Sequence, residues 1–273
     1  MGRRTAVLVA IVGLWLGLAA SASAGAKKCP ADAVAVGPAC LDTHEASVWE
    51  VPPANTSLIK KIKDGKVALA DLTSPAAVAG GVVQRGVASD DYEAVAVCPD
   101  SGNGCVDLYA VSIPGVTPSA FLTWFQAAAA ARNSGKRLPT NQEWQAAALG
   151  TPDPGVSAAG SADCNTKNGG GTGVDAVVPT GSRSNCVSDV GVFDMVGNLS
   201  EWVADWMPLS TACVPALFAG DFNCLAGADT GAGPGALFRG GFFDDGADAG
   251  VFAVNGQRTP SHSVNAFGFR AAR

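Results

Sequence analysis

Histidine is almost missing from this chain of 273 residues, where only His44 and His262 occur. Two imidazoles cannot build a three-histidine metal centre. A serine–histidine triad would have to use one of them, and no G-x-S-x-G turn presents the serine. No C-x-x-C pair occurs, which removes zinc ribbons and thioredoxin-type redox motifs. Basic runs are absent too, and the formal net charge of −6 would repel a phosphate backbone, so nucleic acid is excluded as a partner. The one long apolar run, Ala6 to about Ala20, is short for the roughly 20 residues of a membrane span. No cysteine follows Cys224.

That apolar run has Arg3 and Arg4 before it and Ala22-Ser23-Ala24 after it, the layout of a cleaved secretory signal over residues 1–24. Cleavage removes two arginines and no acid, taking the balance from −6 to −8, and leaves residues 25–273 as one exported domain that does not span a membrane. Ala26-Lys27-Lys28 is too polar for a lipobox at Cys29. Eight cysteines behind an export signal point to disulfides in an oxidising compartment. Short loops favour the pairs Cys29–Cys40, Cys98–Cys105, Cys164–Cys186 and Cys213–Cys224, although sequence alone leaves other connectivities open.

Two helices are legible. In PSAFLTWFQAAAAARNSG, Thr117 reads as the N-cap, Pro118 as the first helical residue and Gly135 as the stop, with Phe121, Leu122, Phe125 and Ala128–Ala129 on the buried face. In RLPTNQEWQAAALG, Thr140 and Glu143 form a capping box, Pro139 and Trp144 a hydrophobic staple, and Gly150 a C-terminal stop. From residue 150 to 191 the chain is rich in turn residues and aperiodic, with Cys164 and Cys186 placed to staple it. Two helices against a small twisted sheet, with much irregular backbone, is the α+β picture.

Three blocks carry a resemblance. GKRLPTNQEWQAAALG, GVFDMVGNLSEWVADW and the pair FRGGFF…FGFRAAR resemble, in order and spacing, blocks of the formylglycine-generating enzyme (sulfatase-modifying factor) family. CLDTHEAS resembles its entry strand, with Glu45. The resemblance implies an elaborated C-type-lectin-like fold with little regular secondary structure. It also implies calcium at Asp194, Gly197, Leu199 and Glu201, and hard oxygen ligands on a tight turn suit that ion. The competing reading is that Asn198 and Glu201 only pin the loop while Trp202 and Trp206 fill the core.

In the family members that make formylglycine, two cysteines after the RGG block hold copper(I) and handle the substrate thiol, as soft thiolates do. Those positions fall here at about Asp245 and Gly250, neither of which replaces a thiolate, so copper is not expected. The iron-dependent sulfoxide-forming branch needs histidines this chain lacks. Asp244 and Asp245 are adjacent, and on an extended segment would point apart rather than share a site. Between Arg239 and Arg270 stand Asp244, Asp245, Asp248, Asn255, Gln257, Arg258, Ser261, His262, Ser263 and Asn265. The spelling GADAGVFAVN is similar to the variable region of retroelement-diversified ligand-binding proteins. The expectation is a non-catalytic, exported binding protein with a ligand surface at about residues 242–265, taking a protein or glycan outside the cytoplasm. The alternative is an oxidoreductase of the family with relocated catalytic residues, Cys213 or Cys224 among them.

Overall fold

Alternating apolar runs too brief for long strands fold here into three small sheets. The computed structural model describes residues 28–92, 98–158, 160–167, 176–214 and 220–273, together with Gly2. Apart from Gly2, the expected signal segment lies outside the described residues.

The chain opens with a two-stranded antiparallel ribbon, β1 (Ala33–Val36) and β2 (Ala39–Asp42). Then come β3 (Ser47–Glu50), three short helices α1 (Thr56–Lys63), α2 (Leu69–Thr73) and α3 (Pro75–Ala79), and strands β4 (Val83–Arg85) and β5 (Leu108–Val111). β3 lies between β4 and β5 in an antiparallel sheet. Leu58, Ile62 and Leu72 bury against it with Trp49 and Tyr109. These three helices escaped the sequence reading because each is only five to eight residues long, too short to show a helical period.

Helices α4 (Trp124–Asn133) and α5 (Asn141–Ala147) follow. α5 has the expected Thr140–Glu143 capping box, and Trp144 is fully buried. α4 corrects the expectation: its N-cap is Thr123, not Thr117, because Thr123 and Gln126 form a capping box of their own. Residues 119–121 are instead held by distant backbone, with Ser119, Ala120 and Phe121 N–H groups donating to the carbonyls of Ala46, Gly86 and Val264.

No named element stands among the described residues between Ala147 and Ser200. The rest is a mixed six-stranded sheet. It comprises β6 (Ser200–Leu209), β7 (Ala212–Val214), β8 (Asn223–Ala226), β9 (Asp229–Arg239), β10 (Val254–Arg258) and β11 (Phe267–Phe269), in the order β11-β6-β9-β10-β8-β7. Trp202, Phe238 and Phe267 meet edge-on or tilted in its core at 4.6–5.6 Å. Trp206 does not fill the core. It is 42% exposed and packs edge-on to Trp124 and Phe125. All four expected cysteine pairs are disulfides, and no described cysteine is free. The fold is mixed α+β, stapled, with little regular structure.

Candidate functional site

Asp194 and Asn198 both take left-handed backbone angles, φ 59° and 57°, with Gly197 between them at 74°. Asp and Asn are the residues that tolerate this region best, and the result is a tight turn just before β6. Asn198 pins it. Its amide donates to Glu45 Oε2 at 2.5 Å and to the Val178 carbonyl, and its Oδ1 accepts from Val178 N and Asn165 Nδ2. Glu45 Oε1 accepts from the Leu199 N–H at 3.0 Å.

Glu201 is buried and already engaged. Arg270 Nε and a terminal nitrogen of its guanidinium donate to its two oxygens at 2.7 and 2.5 Å, and Trp144 Nε1 donates at 2.7 Å. Arg270 also reaches the Phe193 carbonyl at 2.9 Å. Burial works to lower the Arg270 pKa, but Glu201, Glu45 and Asp194 outweigh it and raise it. Burial, with Asp194 and Glu201 nearby, drives Glu45 well above the carboxylate range, and burial lifts Asp194 to about 6.

Three acids thus surround one guanidinium. Asp194 Oδ2 accepts from Gly181 N at 2.7 Å, while its buried Oδ1 has no donor. Among the described residues no three of histidine, cysteine, aspartate and glutamate are grouped as a metal's ligands. Of the expected calcium set, Asp194 therefore offers an open oxygen. Gly197 and Leu199 share its turn, and Glu201 is committed to Arg270 and Trp144. Asp194 Oδ1 is thus without a donor, while both Glu201 oxygens are taken by Arg270 and Trp144.

The segment after β9 forms the second part of the site. Arg239 stacks over Trp144 at 4.7 Å and donates to Gln145 and to the Val251 carbonyl. Gly240 and Gly241 at φ 88° and 77° turn the chain where a Cβ would strike Met195 O or Ala249. Asp245 folds back to accept from Phe242 N at 2.9 Å, and burial pushes its pKa up to about 7. A Cβ on Gly250 would lie 2.1 Å from Asp221 Oδ1. The place where the resemblance puts a second cysteine is therefore filled by the Asp221 carboxylate, which accepts from Phe252 N at 2.6 Å.

The candidate surface residues fall into four groups by their contacts. Asp244 and Asp248 are exposed beside half-buried Asp245, with Lys167 3.6 Å from Asp244. Asn255 and Gln257 lie on β10, bonded to each other next to Cys213, with Arg258 exposed at the strand end. His262 packs its ring on Phe267 at 5.3 Å. Asn265 is exposed and lines a cleft of about 230 Å³ with Val87, Pro118, Phe121, Val177 and Phe243. Sequence reasoning placed Phe121 on a helix. It stands instead at φ 58°, a left-handed backbone unusual for a bulky residue and incompatible with a helix interior. Nothing local in the sequence signalled Val87 or Val177. No helix among the described residues is long and apolar enough to cross a membrane.

Residues 63–273 match the family described as the sulfatase-modifying factor enzyme 1-like domain. The formylglycine-generating enzyme of Thermomonospora curvata is 33% identical over 101 residues, 33% of each chain, so this chain spans about a third of that relative's length. Among solved structures, the major tropism determinant U1 variant is 24% identical with a TM-score of 0.39 and covers 61% of this chain and 45% of its own. CarF is 20% identical, with a TM-score of 0.40, covering 57% and 67%.

Proposed function

This chain belongs to the sulfatase-modifying factor enzyme 1-like family through residues 63–273, and from that premise we propose that it is an exported binding module, not a formylglycine-forming oxidase. The observation that carries the reading is the occupation of position 250 by Asp221 while every described cysteine is in a disulfide. Thiol chemistry needs thiolates, and this arrangement offers none at rest.

The ligand best matched is an extended protein segment with an apolar side chain next to a basic one. The cleft between Phe121 and Phe243 takes the apolar group, Asn265 offers a backbone-like donor and acceptor at its rim, and Asp244 and Asp248 meet the cation. An immobilised peptide array alternating aromatic, proline and lysine positions tests this. Asn265→Ala and a paired Asp244→Ala/Asp248→Ala change, all at exposed positions, should each weaken the best peptide tenfold or more. Unchanged binding in both would sink the assignment.

A second reading is favoured by one observation: Cys213 is exposed, and its bridge partner Cys224 pairs with Asn255 on β10. Reduction of that bridge would supply thiols near the segment. A free-thiol count on the unreduced, exported protein separates the two, since two free thiols would reopen oxidase chemistry. The same protein should start at Gly25 if residues 1–24 are a cleaved signal.

Calcium is proposed at the Asp194 turn, supported by the unpartnered Asp194 Oδ1 near two further acids, Glu45 and Glu201, and Arg270. A ligand that binds only the folded form raises its stability by mass action. Chelator should lower the melting temperature and calcium restore it. A melt indifferent to both removes the ion.

A further inference from the structure

Of the two histidines, His44 is 8% exposed and stacks on Phe193, with ring centroids 5.1 Å apart. A Cβ on Gly181 would meet its Cε1 at 3.1 Å and its Nδ1 at 3.4 Å, so that edge of the ring is covered. Nδ1 is sealed there without a partner among the described residues. Burial, with Arg270 nearby, pushes the His44 pKa down to about 4, so the ring is neutral and carries one proton. Buried donors left without an acceptor are rarer in proteins than under-used acceptors. The proton therefore sits on Nε2, away from the covered edge, and makes that nitrogen a donor.

His44 lines a cleft of about 390 Å³. Thr43 and His44 give one wall, Lys66 and Val67 after α1 the second, Ile113 and Pro114 after β5 the third. The walls are tied to one another. His44 N donates to Ser112 Oγ at 3.0 Å, and that hydroxyl donates to the Asp32 carbonyl at 3.1 Å. Gly65, at φ 66°, lets the second wall close on Asp32, whose Oδ1 a Cβ would strike at 2.2 Å. The Asp32 carboxylate is spent, with Lys136 at 2.8 Å and Arg273 at 2.9 Å. Asp42 shares Lys136, and Asp64 is paired with Lys60. These three acids and three cations cancel, which leaves exposed Lys66 as a surplus positive charge on the rim.

We propose that this cleft binds a small organic acid, a single carboxylate on a compact apolar body. The carboxylate accepts from His44 Nε2 and faces Lys66, while Val67, Ile113 and Pro114 enclose the body. Small-molecule sites occupy about 300–1,000 Å³ and combine apolar walls with a few converging polar groups, as here. The cleft shares no lining residue with the one between Phe121 and Phe243.

Calorimetric titration of phenylacetate at pH 7, with neutral phenylacetamide as the matched control, tests the site on the full-length protein with its disulfides intact. Wild type should bind phenylacetate about threefold or more tightly than phenylacetamide. Lys66→Gln should weaken phenylacetate by about threefold, as loss of an exposed charge does, and leave phenylacetamide unaffected. His44→Phe keeps a ring against Phe193 and removes both nitrogens. It should weaken phenylacetate about tenfold, the worth of one hydrogen bond to a charged group. Neither change leaves a buried polar atom unpaired, so neither should lower the melting temperature. If His44→Phe melts early, Lys66→Gln alone decides. Failure of wild type to bind either probe would remove the cleft as a site, and equal binding of both would remove the carboxylate. Phenylacetate binding unchanged in Lys66→Gln and His44→Phe would put the acid elsewhere on the molecule and overturn the assignment.

Discussion

Asp245 occupies the position where the family resemblance puts a copper-binding cysteine, and what it does there is turn its carboxylate onto the Phe242 N–H. Burial raises its pKa to about 7, with Asp248 and Asp244 adding to the rise. A carboxyl whose folded pKa exceeds its unfolded value near 4 contributes stability that is complete at acid pH and fades as pH rises through the folded value. The window is therefore pH 4 to 7. Asp245→Asn keeps an oxygen for Phe242 and cannot ionise. It should gain about 1 kcal/mol or more over wild type at pH 8, about 2–4 °C in a chain of this size, and gain nothing near pH 4. Thermal melts at both pH values check this, and an equal shift at the two would refute the assigned ionisation. The sequence showed which residue stood at position 245. It could not show that Asp221, 29 residues before Gly250, fills the second position, because that contact is made only in three dimensions.

At the scale of elements, α5 was readable and the start of α4 was not, for the same physical reason. The signals that begin α5, Thr140 and Glu143, are three residues apart and act on each other. Pro118 after Thr117 is an equally good local beginning for α4. The backbone that decides the matter belongs to Ala46, Gly86 and Val264, none of which is near in sequence. Thr123 is the cap, and its hydroxyl also donates to the Asp100 carbonyl at 2.7 Å. Thr123→Ala should cost about 1–2 kcal/mol, as loss of a helix cap does. Thr117→Ala should cost much less, and urea unfolding of the two variants compares them. If Thr117 proves the costlier, the cap has been misplaced. The cleft beside this helix start was hidden for a related reason. Its walls come from four separated stretches, and only Phe243 and Asn265 lay in the segment that sequence marked as a surface.

Taken whole, the molecule is held by local staples. Its four disulfides span 7 to 22 residues, and the widest, Cys164–Cys186, crosses the irregular stretch that has no helix or strand of its own among the described residues. Closing such a loop in the unfolded chain is worth about 3 kcal/mol by the entropic account. A Cys164→Ala/Cys186→Ala double change should lower stability by about that amount. The loss should exceed that from removing Cys98–Cys105 by about 1 kcal/mol, since loop entropy grows only with the logarithm of the 22- and 7-residue spans. Denaturant titration of both variants measures it, and a negligible loss at Cys164–Cys186 would show that the irregular region needs no staple. The bridges were legible as pairs because each joins neighbours along the chain. The parallel join of β11 to β6 was not, because nothing in two short apolar stretches 67 residues apart, such as Ser200 and Phe267, announces that they will lie side by side.

The last residues of the chain bond back to the first ribbon. Cys40 and Arg273 exchange backbone hydrogen bonds at 2.8 and 2.7 Å, Asp42 N donates to Ala271, and the Arg273 guanidinium meets Asp32 at 2.9 Å. In mechanical terms, residues 40 and 273 are adjacent points, and a load applied between them is taken by this small zipper before it reaches either sheet. The module can therefore be carried within a longer polypeptide as a loop whose ends leave together, adding almost nothing to the reach of the tether that holds it.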